Sequence, residues 1–174
     1  MPVDTGAAGT RPQTIDLIEV AMHSFDISTR LSAPADRVWQ HVTAMSGVNG
    51  ELRPLLRMTV PAGLSGASIA ELPLNRRVGR SWLLLFGVLP VDFDDLTIAE
   101  RGPGFRFLER SVMLTQSCWE HERVVTPLDG GCTVTDRLCW RGRIPPFGAL
   151  YRLAVQILFR HRHRQLRRRF GTYD

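Results

Sequence analysis

"FDISTRLSAPADRVWQHV", residues 25–42, carries two patterns in succession, and the switch between them decides the fold. From Phe25 to Leu31 the side chains alternate. Phe25, Ile27, Thr29 and Leu31 share one face, and Asp26, Ser28 and Arg30 share the other. A period of two is that of a half-buried strand. Ser32 then stands where it can cap a helix, Pro34 suits a first turn, and Asp36 complements the positive end of the dipole. Val38, Trp39 and Val42 follow at helical spacing. A strand thus runs straight into a short helix.

Downstream, "GVNGELRPLLRM" (47–58) predicts a second short helix that Pro54 must kink or begin. Residues 59–79 are rich in turn formers and predict a long loop. "RSWLLLFGVLPVDF" (80–93) is a continuous apolar run that suits a buried strand or a buried helix, and strand is the preferred reading. Beyond it, "DLTIAER", "FRFLERSVML", "SCWEHERVV" and "CTVTDRLCWRGR" are strand segments. Turns such as Gly102-Pro103-Gly104 and "PLDGG" separate them, as in an antiparallel meander. From Pro145 and Pro146 to Gly171 the pattern is one helix of about twenty-five residues, roughly 37 Å long. Residues 1–22 are small, polar and interrupted by proline, which predicts a flexible lead-in to a single domain over 23–174.

Composition narrows the function classes. Hydrophobic residues make up 44% and charged residues 22%, which places the chain among globular proteins. All 22 basic residues are arginine, and the net charge of +5 is unevenly spread. Residues 141–174 hold nine arginines and one aspartate, so a mildly acidic body ends in a basic segment. Three cysteines, Cys118, Cys132 and Cys139, form no C-x-x-C and suit a reducing compartment. With no long apolar run and no secretory pattern, a soluble, cytoplasmic protein is expected.

The basic end, "ILFRHRHRQLRRRF" (157–170), has several readings. On a helical wheel Phe147, Leu150, Tyr151, Ala154, Ile157, Leu158 and His161 form one stripe, the face expected to grip the sheet. Val155, Phe159, Leu166 and Phe170 widen it to one side. Arg160, Arg164 and Arg167 project opposite and, with Arg168, form a basic patch. Such a patch suits an acidic protein or an anionic membrane surface. Nucleic acid is disfavoured, since aromatics for stacking are scarce and no binding motif is present. His161 and His163 lie about 200° apart round a helix, too far to share an ion. No metal and no cofactor is expected. The nucleophile-elbow, P-loop, dinucleotide and zinc-protease motifs are all missing. "DFDD" (92–95) reads as a solvated strand entry.

The residues quoted at the outset, with the long final helix, resemble the helix-grip superfamily. That group holds START lipid-binding domains, the major birch pollen allergen and bacterial polyketide cyclase/dehydrase-like (SRPBCC) proteins. The resemblance spans roughly residues 23–170. It implies an α+β fold in which a curved antiparallel sheet wraps a long C-terminal helix, with two short helices after the first strand. Between sheet and helix it implies an apolar cavity. Candidate wall residues are Trp82, Phe86, Trp119, His121, Trp140, Tyr151, Ala154 and Leu158, with Phe107 in reserve. Asn49 and Glu51 fall where the superfamily often forms the cavity mouth. Alternation places Trp119, His121, Arg123 and Val125 on one strand face and Val134, Asp136, Leu138 and Trp140 on another. For the strand from Phe105 it leaves the inward face open.

The leading expectation is binding or carriage of a small lipophilic ligand without chemistry. A cyclase/aromatase-like enzyme using His121 and Asp136 is the second, with an ordinary Asp136–Arg123 or Asp136–Arg110 ion pair as the plainer account of Asp136. His41 is a weaker candidate. An interaction protein working through Arg160, Arg164, Arg167 and Arg168 is the third. Oligomeric state is open.

Overall fold

The computed structural model describes residues 22–61, 66–143 and 147–173. The lead-in, Met22 excepted, lies outside them, as do the prolines expected to open the last helix. Strand β1 (His23–Leu31) leads into α1 (Ala35–Thr43) and α2 (Met45–Leu52), then the short β2 (Leu56–Met58) and a single 3-10 turn, Ile69–Glu71. Five long strands follow: β3 (Arg77–Leu85), β4 (Leu89–Arg101), β5 (Phe105–Met113), β6 (Gln116–Leu128) and β7 (Gly131–Gly142). Helix α3 (Gly148–Phe170) closes the fold with 23 residues.

All seven strands form one antiparallel sheet in the order β1-β7-β6-β5-β4-β3-β2. Strand β1 pairs with β7 from His23 opposite Trp140 to Leu31 opposite Cys132, so the first strand closes on the last. The apolar run at 80–93 is a hairpin and not a helix. Phe86 (φ 50°) and Gly87 (φ 79°) both take left-handed backbone and reverse the chain between β3 and β4. Helix α2 stops before Pro54 and is not kinked by it. Ser32 does not cap α1; its hydroxyl donates to the Thr172 carbonyl at 2.7 Å and ties β1 to the end of the chain. Gly47 lets α2 turn tightly against α1, because a Cβ there would run into the His41 carbonyl.

Three apolar clusters frame the interior. One joins α1, the ends of β6 and β7, and Leu166 and Phe170 of α3. A second packs α2 against β2, β4 and Phe107. The third brings Trp119, Leu138 and Trp140 under Val155 and Phe159. Burial on α3 differs from the predicted stripe. Val155, Phe159, Leu166 and Phe170 are buried, whereas Phe147, Leu150 and Ile157 are at least half exposed. The predicted gripping face lies over a cavity, and the flank of that stripe makes the sheet contact.

Candidate functional site

A cavity of about 740 Å³ lies between the concave side of the sheet, α2 and the first half of α3. Its wall is mostly aliphatic and aromatic: Met45, Val48 and Leu52 from α2, Leu83 and Leu85 from β3, Leu96 from β4, Phe107 and Met113 from β5. Of the expected wall residues, Phe86, Trp119, His121, Trp140, Tyr151, Ala154 and Leu158 line it. Trp82 does not. Strand alternation sends its neighbours Leu83 and Leu85 inward, so Trp82 faces out, 43% exposed and edge-on to Phe93. The most exposed large apolar side chains of the lining are Phe86 (67%), Leu150 (65%) and Phe147 (58%), which puts the mouth between the β3–β4 turn and the start of α3.

Asn49 and Glu51 are not at that mouth. Asn49 clamps β2, donating from Nδ2 to the Met58 carbonyl at 2.9 Å and accepting from the Met58 amide at 2.7 Å. Glu51, 1% exposed, belongs to a charged network behind the cavity wall. Arg123 is its hub. Nε and Nη2 donate to Asp136 at 2.6 and 2.7 Å in a two-point fork, and Nη1 reaches both Glu51 oxygens at 3.0 Å. Arg162 grips the same Glu51 carboxylate at 2.9 Å, and His163 Nε2 lies 2.9 Å from Asp136 Oδ2. His161, Arg162 and His163 are therefore buried. The centre of the basic run is a clamp, while Arg160, Arg164, Arg167 and Arg168 stay exposed.

The network reaches the cavity through His121, whose Nε2 lies 2.9 Å from Asp136 Oδ1 and whose Nδ1 lies 3.6 Å from Glu109 Oε2. Burial opposes its charge, but the Asp136 and Glu109 carboxylates prevail and raise its pKa. His121 thus lies between two carboxylates, with Nε2 donating to Asp136 and Nδ1 turned towards Glu109. It does converge with Asp136, as the donor of that pair. Burial likewise opposes ionisation of Asp136, and the Arg123 guanidinium prevails, holding its carboxyl well below the usual range. Asp136 is the buried partner of Arg123, the plainer of its two expected roles, and His121 and His163 flank it as well.

Strand β5 turns Phe107, Glu109, Ser111 and Met113 inward, settling the face that alternation left open. Ser111 Oγ donates to Glu109 Oε1 at 2.8 Å. Burial would push Glu109 up, yet the His121 ring beside it brings its pKa below the ordinary carboxylate value. On the next strand Asp94 shows the reverse. Burial, then the Glu109 charge, pushes its carboxyl well above the usual range. "DFDD" is not a solvated entry: Asp92 and Asp94 are both 5% exposed, and Asp95 holds Arg77 and Arg80. His41 lines no part of the cavity and packs edge-on against Phe170.

Sequence reasoning missed Glu51 and Arg162 as partners, and Glu109 and Asp94 as cavity groups. A signal existed in Arg123, which alternates in step with Trp119, His121 and Val125. An arginine on a core-facing strand position requires a buried carboxylate.

No match is found among curated protein sequences. Among solved structures, the chain is similar to protein CV1439 of Chromobacterium violaceum at 17% identity and TM-score 0.61, covering 86% of this chain and 98% of that one. A START superfamily protein of Mycobacterium smegmatis aligns at 12% identity and TM-score 0.59, covering 86% and 96%. The Zhui aromatase/cyclase of Streptomyces sp. R1128 aligns at 12% identity and TM-score 0.55, covering 85% and 96%. These likenesses establish the START-like helix-grip fold. Residues 29–170 match the family described as "Domain of unknown function (DUF8410)", and the chain belongs to that family.

Proposed function

We propose that the protein binds a small, largely apolar molecule in the cavity between the sheet and α3. The observation that carries this reading is the cavity itself. Its volume of about 740 Å³ falls inside the range of small-molecule sites, and an apolar wall with a few placed polar groups is their usual make-up. The aromatase/cyclase shares the fold, so catalysis in the same cavity is the competing reading. The placement of His121 favours carriage: Nε2 is held by the Asp136 carboxylate and Nδ1 is turned towards the Glu109 carboxylate, so the ring is arranged for its buried neighbours and not for a bound molecule.

Native mass spectrometry of gently purified protein, followed by denaturing solvent extraction, tests the proposal. A discrete adduct of a few hundred daltons that leaves with organic solvent is expected. An apo mass, together with failure of the protein to enhance the fluorescence of an apolar dye, would overturn it.

A further inference from the structure

Four buried side-chain atoms have no hydrogen-bonding partner among the described residues: Ser81 Oγ, Asp94 Oδ1, Gln116 Oε1 and His163 Nδ1. Only Asp94 and Gln116 belong to cavity-lining residues, and they are 5% and 2% exposed. Buried polar atoms are ordinarily satisfied, so two orphans on one cavity wall call for a partner that enters with a ligand. Both sit towards the same end of the sheet. Asp94 lies opposite Met113, the last residue of β5, and Gln116 begins β6 after the two intervening residues Leu114 and Thr115.

The hydrogen-bond roles of both orphans can be worked out. Thr115 hands its hydroxyl proton to the Asp92 carboxylate, so it faces Gln116 with a lone pair. Gln116 must then turn Nε2 to Thr115, at 3.2 Å, and Oε1 is the atom left open, an acceptor. Asp94 Oδ1 is a carboxyl oxygen with no donor beside it, likewise an acceptor left open.

We propose that Asp94 Oδ1 and Gln116 Oε1 form the polar anchor of the cavity, and that its ligand is a neutral apolar molecule bearing a hydroxyl donor, an alcohol or a phenol. This deepens the cavity reading and rests on it. At this end of the cavity a carboxylate or phosphate head would meet two acceptors beside Glu109, which disfavours it there.

One skeleton with three head groups tests the anchor: 1-pyrenemethanol, 1-methylpyrene and 1-pyrenecarboxylate, titrated by fluorescence at pH 7. The alcohol is expected to bind about tenfold more tightly than the methyl compound, the worth of one or two net hydrogen bonds, and the carboxylate most weakly. In Asp94→Leu, and independently in Gln116→Leu should the first fail to fold, the alcohol-to-methyl ratio falls towards one. A carboxylate that binds as well as the alcohol, or an alcohol no better than the methyl compound, overturns the anchor while leaving the cavity reading intact. If none of the three binds, the cavity reading fails and the anchor with it.

Discussion

Replacing Glu51 with alanine removes the carboxylate that α2 inserts between β6 and α3. Four contacts go at once: Arg123 Nη1 to both oxygens at 3.0 Å, and Arg162 Nε and Nη2 at 2.9 Å. Arg123, fully buried, keeps its fork to Asp136, but Arg162 is left with no carboxylate partner among the described residues. Removing one partner of a buried ion pair costs about 3–5 kcal/mol, since the other charge stays desolvated. Against a total stability of about 5–15 kcal/mol this is a large share. At about 2–4 °C per kcal/mol for a chain of this size, the midpoint drops by roughly 6–20 °C. Urea unfolding followed by tryptophan emission measures it. The pair Glu51→Leu with Arg162→Leu sharpens the test, because it removes the stranded charge along with its partner. The double variant should be at least about 1 kcal/mol more stable than the two single losses added together. A loss under about 1 kcal/mol in Glu51→Ala, or strict additivity in the pair, would refute the reasoning.

Ala154 faces the cavity from α3 without a buried contact of its own, so Ala154→Trp should fill the cavity and abolish the adduct while moving the midpoint by only a few degrees. Native mass spectrometry and a thermal scan check both halves of that statement. Changing Arg160, Arg164, Arg167 and Arg168 together to Gln lowers the net charge from +5 to +1, yet should cost less stability than Arg162→Gln alone, as exposed charges are worth little. Denaturant midpoints of the two variants, compared side by side, decide it. Asp94 makes a prediction about pH. Its folded pKa lies well above the ordinary carboxylate value, so the folded state keeps a proton that the unfolded chain releases. Stability from this group is present below about pH 4 and is lost as pH rises towards the folded pKa. Asp94→Asn should therefore match the parent near pH 4 and exceed it at pH 8. Persistence of the parental slope in the variant would contradict the assignment.

The opening strand and helix, the meander and the final helix were legible because each follows from local periodicity. On β6 and β7, alternation grouped together the residues that face inward, since Trp119 and Val125, or Leu138 and Trp140, flank the polar residues with unambiguous apolar ones. On β5 the rule gave no preference, because Phe107 competes with Leu108 and both are buried. Trp82 was misread for a related reason: aromatic character suggested a wall, but the adjoining Leu83 and Leu85 fill the inward positions. The site itself was least legible. Arg162 and Glu51 stand 111 residues apart, and periodicity reports the face a side chain takes, not the partner it meets. Asp94 was hidden by its neighbours. In "DFDD" three acids share one local composition, yet one anchors a turn, one faces the cavity, and one pairs with surface arginines.

The division of α3 into two halves connects stability with binding. From Phe159 onward the helix is fastened on several sides. Phe159, Leu166 and Phe170 enter apolar clusters, His161 Nε2 lies 2.7 Å from the Arg53 carbonyl, Arg162 pairs with Glu51, and His163 meets Asp136. Before Phe159, only Val155 is fully buried, and Phe147, Leu150 and Ile157 look into or across the cavity mouth. Apolar packing along the full length would have brought the helix down onto the sheet and erased the space beneath it. Ion pairs concentrated in the second half hold the helix at a fixed height without filling the first half. The run of arginine and histidine at 160–164 thus has an interior purpose: its buried members fasten the helix, and that fastening keeps a cavity open under the turns that precede them.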